Sequence, residues 1–327
     1  MLNLDAITGR SAASFDPAKE VPPLTGKVIL VTGAAAGIGK QVATYLAGHR
    51  PAEIWLADKH LDKAEAACLE IGEGAAGEVK LRALRLDLGS LESVREAAAT
   101  FRAAADRLDV LMLNAGVMGV PPGLTADGYE LHFGINHLGH AYLAKLLLPL
   151  LNKTVDVATD ARVIITTSYS HWNAPEGGIL FDVLETPAAS VPSLKRYAQS
   201  KLAGILFARR LAEQNPRLLV ASVHPGAADT DLHAAATDVG LLDRLVNRLV
   251  YPLLIFQSVG TVAKNLVWAA TAPAKDLVSG EYYEPLGRVA EGRPEGRDAE
   301  LAQRLWDWTE EQLRDLPVLE GYETQMQ

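Results

Sequence analysis

From Lys27 onward the chain alternates short apolar runs, many of them β-branched, with longer Ala- and Leu-rich stretches at helical spacing. "KVILVT" precedes "GKQVATYLAGH", "EIWLAD" precedes "LDKAEAACLEIG", and "LRALRLD" precedes "LESVREAAATFRAAADR". "LDVLMLN" opens a long helical region, "ARVIITTS" leads later to "SKLAGILFARRLAEQ", and "RLLVASV" closes the series. Near-continuous apolar strands joined by helices predict a parallel sheet covered on both faces, since a strand buried above and below has no use for polar alternation. The expected fold class is a doubly wound α/β domain of three layers with about seven strands.

No internal repeat or low-complexity linker divides the pattern, so residues 26–327 are expected to form one domain behind a flexible leader at 1–25. The rhythm breaks at about 227–258, an apolar helical stretch placed where a cover over the carboxyl ends of the strands is expected. Leu241, Leu242, Leu245, Val246 and Phe256 supply its apolar positions. Plain core or interface helices are the alternative. At about 298–315, Leu301, Leu305, Trp306 and Trp308 fall around one side of a helix, as packing requires.

Composition narrows the class of partner. The 327 residues carry 31 basic against 40 acidic side chains, a net charge of −9, which gives no attraction to nucleic acid or anionic lipid and favours small-molecule partners. Cys68 is the single cysteine, so no internal disulfide can form, and a reducing, cytoplasmic setting is expected. The N-terminal stretch has no apolar core of signal-peptide length. "LVYPLLIFQSVG", from Leu249, is interrupted by Pro252 and is shorter than the roughly 18 to 20 residues of a membrane span.

The first strand runs into "TGAAAGIGK", whose Gly33, Gly37 and Gly39 are spaced Gly-x-x-x-Gly-x-Gly. Gly33 permits a tight turn, Gly37 lets the backbone approach a pyrophosphate, and Gly39 lets the following helix pack close, its positive end toward the phosphate. Alone, such a turn also serves as plain structure. Asp58 ends the second strand 19 residues beyond Gly39, near where an acid that binds an adenosine ribose is expected. Lys59 follows it at once and would ask the opposite of a 2′-phosphate.

"TGAAAGIG" resembles the cofactor motif of the short-chain dehydrogenase/reductase family, and further motifs of that family follow in order over nearly the whole chain. "RLDL" is similar to the segment that contacts adenine, which implies Asp87 and Leu88. "LNAG" is similar to an Asn-Asn-Ala-Gly motif, which implies Asn114, Ala115 and Gly116, with Leu113 in place of the first Asn and a strand-stabilising hydrogen bond thereby in question. "INHLGH" supplies Asn136, "TTSYS" supplies Ser168, "YAQSK" supplies Tyr197 and Lys201, and "HPGAADT" supplies Pro225, Gly226 and Thr230.

The resemblance implies catalysis by Asn136, Ser168, Tyr197 and Lys201. The cofactor is expected on Gly33, Gly37, Ile38, Gly39, Asp58, Lys59, Asp87, Leu88, Asn114, Ala115, Gly116, Tyr197, Lys201, Pro225, Gly226 and Thr230. Reducing a carbonyl by hydride leaves an alkoxide that needs a proton, and a phenol with an ordinary pKa near 10 needs its anion stabilised to serve. Lys201 lies one helical turn after Tyr197, on the same face, where its ammonium favours the tyrosinate. Ser168 is expected to hold the substrate oxygen, with Thr166, Thr167 and Ser170 as rivals, and Asn136 to hold a water in a proton relay. His132, His137 and His140 lie near Asn136 without a carboxylate or cysteine at ligand spacing, and no metal is expected.

The 29-residue step from Ser168 to Tyr197, with "TADGYELHFGINHLGH", resembles the branch that includes retinol dehydrogenases and protochlorophyllide reductases. An NAD(P)-dependent oxidoreductase interconverting a carbonyl and an alcohol on a hydrophobic or polycyclic small molecule is therefore expected. NAD(H) is favoured by Asp58, with NADP(H) use through Lys59, because Ala36 supplies no second basic residue. A cofactor-binding sensor without turnover is the competing class. The resemblance also allows a homo-oligomer.

Overall fold

A computed structural model of the chain describes residues 14–75, 77, 79–158, 160–227 and 257–316. Eight strands form one sheet in the order β3-β2-β1-β4-β5-β6-β7-β8. These are β1 (Val28–Thr32), β2 (Glu53–Asp58), β3 (Lys80–Arg85), β4 (Val110–Leu113), β5 (Arg162–Thr166), β6 (Leu219–Val223), β7 (Tyr282–Glu284) and β8 (Arg288–Ala290). All neighbours pair in parallel except β7 and β8, a short antiparallel edge that brings the expected seven strands to eight.

Both faces of the sheet are dry, as the continuous apolar runs require. Along β1, Val28 and Leu30 enter one core while Ile29 and Val31 enter the other, and all are buried. The first core is closed by α4 (Leu91–Ala104), α6 (Gly139–Val157) and α7 (Ser193–Gln214). The second is closed by α2 (Gly37–Ala47), α3 (Leu61–Gly74) and α8 (Val259–Thr271). Cys68 packs against this second core, and burial pushes its thiol up to about 11, so it is a packing group and a poor nucleophile.

Residues 14–25 differ from the loose leader expected for this stretch. Pro17–Glu20 form a helical turn, α1, capped by Asp16, and Val21 and Leu24 are buried in the second core. Their apolar side chains find a slot beside the sheet, and the Leu24 N–H donates to the His49 carbonyl at 2.7 Å.

Two features bring the site together. Between β1 and β4 the strand order reverses, which opens a crevice at the carboxyl ends of the strands. Ahead of α6 lie a short helical turn, α5 (Leu131–Phe133), and a π-turn at Gly134–Leu138 that carries Asn136. π-turns inside helices are frequent at functional sites. A Cβ on Gly139 would stand 2.5 Å from the Leu88 carbonyl oxygen, so only glycine lets this helix come so near the loop after β3.

The C-terminal helix α9 (Ala299–Leu313) lies over α6 and α7. Trp306 stacks on Phe207, Trp308 meets Phe133 edge-on, and His137 Nε2 is 2.9 Å from Thr309 Oγ1. No helix among the described residues is long and apolar enough to cross a membrane. The cover expected at 227–258, with Leu241, Leu242, Leu245, Val246 and Phe256, lies almost wholly outside the described residues.

Candidate active site

The glycine turn after β1 is closely packed. Gly33 has φ +66°, and a Cβ there would stand 2.9 Å from Cα of Ala115. A Cβ on Gly39 would stand 2.2 Å from the Gly33 carbonyl oxygen and 2.6 Å from Asn114 Nδ2. Any larger residue would therefore fill the turn or force it apart. Helix α2 starts at Gly37 behind Ala36, which offers its first amides no side-chain cap. Ile38 packs against the second core. The Lys40 ammonium pairs with Glu70 on α3.

The missing Asn at Leu113 has a structural answer. Leu113 is buried in the first core. Thr32 holds the strand ends instead: its Oγ1 accepts from the backbone N–H of Asn114 at 2.9 Å and of Ala115 at 3.0 Å, and Asn114 Nδ2 donates to the Thr32 carbonyl at 3.0 Å. The same hydroxyl lies 2.9 Å from His140 Nε2, while His140 Nδ1 is 3.2 Å from the Asn136 carbonyl. A carbonyl only accepts, so Nδ1 carries the proton and Nε2 accepts from Thr32. Burial drives this imidazole down to about 3, and it stays neutral.

Asp58 ends β2 half-buried, with Oδ1 accepting the His60 N–H at 3.0 Å, and Lys59 beside it is exposed. Asp87 is exposed and turns its Oδ1 to the Gly89 N–H, while Leu88 is buried in the first core. After β6, Pro225 is buried and Gly226 adopts φ +114°, its Cβ position 3.1 Å from Val262. This turn is held by Asn265, which donates to the His224 carbonyl at 2.7 Å and accepts from Gly287 N–H at 2.9 Å. No motif pointed to Asn265. Thr230 lies outside the described residues.

The four expected catalytic residues come from three parts of the chain and lie close together. Tyr197 and Lys201 lie one turn apart on α7, both nearly buried, with the Lys201 ammonium 5.6 Å from the centre of the Tyr197 ring. Lys201 Nζ donates to the Thr166 carbonyl at 3.1 Å. A Cβ on Gly116 would stand 3.0 Å from Asn136 Oδ1 and 3.4 Å from Lys201 Nζ, so this glycine borders both groups. The Asn136 amide is well occupied: Nδ2 donates to the Val117 carbonyl and to Ser200 Oγ, and Oδ1 accepts the Val117 N–H at 2.8 Å.

Among the hydroxyls after β5, position separates the rivals. Thr167 gives its hydroxyl to the Lys201 carbonyl at 2.7 Å, which clamps α7 to the sheet. Thr166 Oγ1 is buried without a partner among the described residues. Ser168 Oγ lies 3.2 Å from Ser170 Oγ and hydrogen-bonds the Tyr197 phenol.

Burial dominates the electrostatics of the pair. Burial pushes Tyr197 up to about 12, against which the Ser168 hydrogen bond acts, and burial pushes Lys201 down to about 8. Desolvation penalises the charged form of each. Near neutral pH Tyr197 is a neutral phenol.

Residues 27–239 match the family model described as short chain dehydrogenase. The chain is 37% identical to human retinol dehydrogenase 13 over 307 residues, 92% of this chain and 87% of the relative. It is 35% identical to a short-chain dehydrogenase/reductase of Armillaria gallica over 303 residues, 90% of this chain and 93% of the relative. Among solved structures, a protein from Mycobacterium paratuberculosis superposes with a TM-score of 0.68 at 30% identity, covering 91% of this chain and 97% of its own.

Proposed function

The chain belongs to the short-chain dehydrogenase family and is an NAD(P)-dependent oxidoreductase, and from that premise we propose that it interconverts a carbonyl and an alcohol on a hydrophobic, ring-bearing small molecule. The observation that carries the reading is the meeting of Ser168, Tyr197 and Lys201 in a buried site bordered by Gly116 and Asn136.

A bound nicotinamide cofactor would supply or accept the hydride. Gly33, Gly37 and Gly39 would shape its phosphate cradle and Asp58 would accept from its ribose hydroxyls, while Gly116 and Gly226 would border it. Tyr197 gives its phenolic proton to the oxygen of the carbonyl as it is reduced and takes it back on oxidation. Ser168 donates a hydrogen bond to the same oxygen, which stabilises the charge that develops there. Lys201 steadies the tyrosinate that the transfer leaves, and Asn136 clamps the backbone at Val117 beside it.

Two observations support an apolar substrate. Tyr169 follows Ser168 directly and Trp172 lies three residues further on, their ring centres 6.3 Å apart, and Trp172 is 44% exposed. Aromatic faces beside a polar reactive group suit a flat or ring-bearing ligand. A relative named for retinol, an apolar alcohol, points the same way.

The test is a panel of aromatic, polycyclic, long-chain and small polar aldehydes, ketones and alcohols, with turnover followed by reduced-nicotinamide absorbance using both cofactors. Ring-bearing substrates are expected to lead, and Tyr197→Phe is expected to lower turnover by about 10²–10⁴-fold with cofactor binding kept. Preference for small polar aldehydes overturns the substrate class. Cofactor binding without turnover on any member, unchanged by Tyr197→Phe, marks a sensor.

A further inference from the structure

Beside Tyr197 lies a charged cluster with no exposure at all. Glu130, His132 and Arg196 are each 0% exposed. Glu130 Oε1 accepts from His132 Nδ1 at 2.9 Å and from Arg196 Nη1 at 3.0 Å, and its Oε2 accepts the Phe133 N–H at 2.8 Å. Arg196, the residue before Tyr197, also donates to the carbonyls of Val120 at 3.0 Å and Val191 at 3.1 Å. The His132 ring meets the Tyr197 ring edge-on with centres 6.2 Å apart, and its buried Nε2 has no partner among the described residues.

We propose that Glu130 and Arg196 are positioning residues for the proton-transfer step: the buried pair locks the helix of Asn136 to the helix of Tyr197, and its balanced charge sets how readily Tyr197 ionises. This rests on Tyr197 as the proton donor. Glu130 caps the turn that leads into the π-turn of Asn136, and through Arg196 it holds α7 at the residue next to Tyr197. Val120 follows the loop that Asn136 clamps at Val117, so the guanidinium ties a third segment to the same point.

The electrostatic half follows from burial. An intact carboxylate–guanidinium pair projects little net field onto a third group. Losing one partner leaves a full charge in a site that water does not screen. Among the described residues, the other groups around Tyr197 are Lys201 on its own helix, Ser168 after β5 and the His132 imidazole, with His140 near Lys201. Glu130 itself faces only His132 and Arg196 among charged or titratable side chains described here.

The test reads the ionisation of Tyr197 itself. Tyrosinate absorbance is titrated in protein saturated with whichever oxidised nicotinamide dinucleotide binds more tightly, with the matching Tyr197→Phe protein subtracted. Glu130→Gln keeps shape and acceptor but removes the negative charge, and is expected to lower the Tyr197 transition by about one pH unit, the shift for charges on the order of 10 Å apart at an effective dielectric of about 20. Arg196→Gln is expected to raise it by a similar amount, and the double variant to bring it back. Transitions that coincide in parent and single variants overturn the proposal. If thermal unfolding shows that one single variant does not fold, the other carries the test. If neither folds, Glu130→Asp, which keeps the charge, must slow turnover of a ring-bearing aldehyde at an unmoved transition, and normal turnover overturns the proposal. A Tyr197→Phe enzyme that turns over at the parent rate removes the reading of Tyr197 instead, independently of Glu130.

Discussion

The Lys201 ammonium stands 5.6 Å from the centre of the Tyr197 ring, and burial drives the two groups in opposite directions, the phenol to about 12 and the ammonium to about 8. Below about pH 8, folded and unfolded chains both hold Lys201 protonated, and folding bears the full cost of burying the charge. Between about 8 and 10.5 only the unfolded chain is protonated, so stability rises with pH by an amount on the order of 3 kcal/mol. From pH 10 to about 12 Tyr197 acts in the opposite sense, because the unfolded chain has then lost its phenolic proton and the folded one has not. Lys201→Met is expected to abolish the rise and to be no less stable than the parent at pH 7 while losing turnover. Denaturant titrations at several pH values check it.

Two glycines separate folding from chemistry. In Gly39→Ala the new Cβ meets the Gly33 backbone oxygen at 2.2 Å, a contact no rotamer relieves. The expected cost is about 1–3 kcal/mol of stability with cofactor affinity lowered tenfold or more. In Gly116→Ala the Cβ meets side-chain atoms of Asn136 and Lys201 at 3.0 and 3.4 Å, which can give way. Turnover should fall by about tenfold with stability changed by less than about 1 kcal/mol. Thermal unfolding and cofactor-fluorescence titration of both variants decide it.

Cofactor choice is expected to turn on adjacent residues at the end of β2. Asp58 is half-buried at the strand end and Lys59 is exposed, while Lys40 is engaged by Glu70. NAD(H) is expected to be the better cofactor, and Asp58→Ala is expected to move the ratio of kcat/KM toward NADP(H) by about tenfold to a hundredfold. A strong NADP(H) preference that Asp58→Ala leaves unchanged would give Lys59 the deciding role.

Thr32→Val keeps the shape of a fully buried side chain and removes the acceptor for the Asn114 and Ala115 amides and the donor to His140. Leaving such groups unpaired costs about 1–3 kcal/mol. Because the amides belong to the crevice wall, the Michaelis constant for the cofactor should rise together with the loss of stability. Steady-state kinetics at varied cofactor, set beside the unfolding midpoint, test the coupling.

Much of the site was legible because its determinants are local. The glycine turn follows β1 within a few residues, and Tyr197 and Lys201 share a helical face by their spacing alone. Apolar runs such as "KVILVT" marked strands buried on two faces, and the faces proved to be two separate cores. The histidines were less legible. His137 and His140 read as structural from spacing, but that one holds α9 through Thr309 and the other joins Thr32 to Asn136 has no trace in the local pattern.

By itself, the sequence determined what depends on neighbours along the chain: strand and helix order, the glycine turn after β1, and the one-turn spacing of Tyr197 and Lys201. Tertiary structure alone decided what depends on distant segments meeting. Glu130 and Arg196 are 66 positions apart, and Thr32 and His140 are 108 apart, so no period or spacing announces either contact. Packing likewise decided that Thr167 is spent on Lys201 while Ser168 faces Tyr197, and that Val21 and Leu24 belong to the core. The acid–base character of Tyr197 and Lys201 was set the same way, because desolvation is a property of everything packed around a group and of nothing in its own stretch of chain.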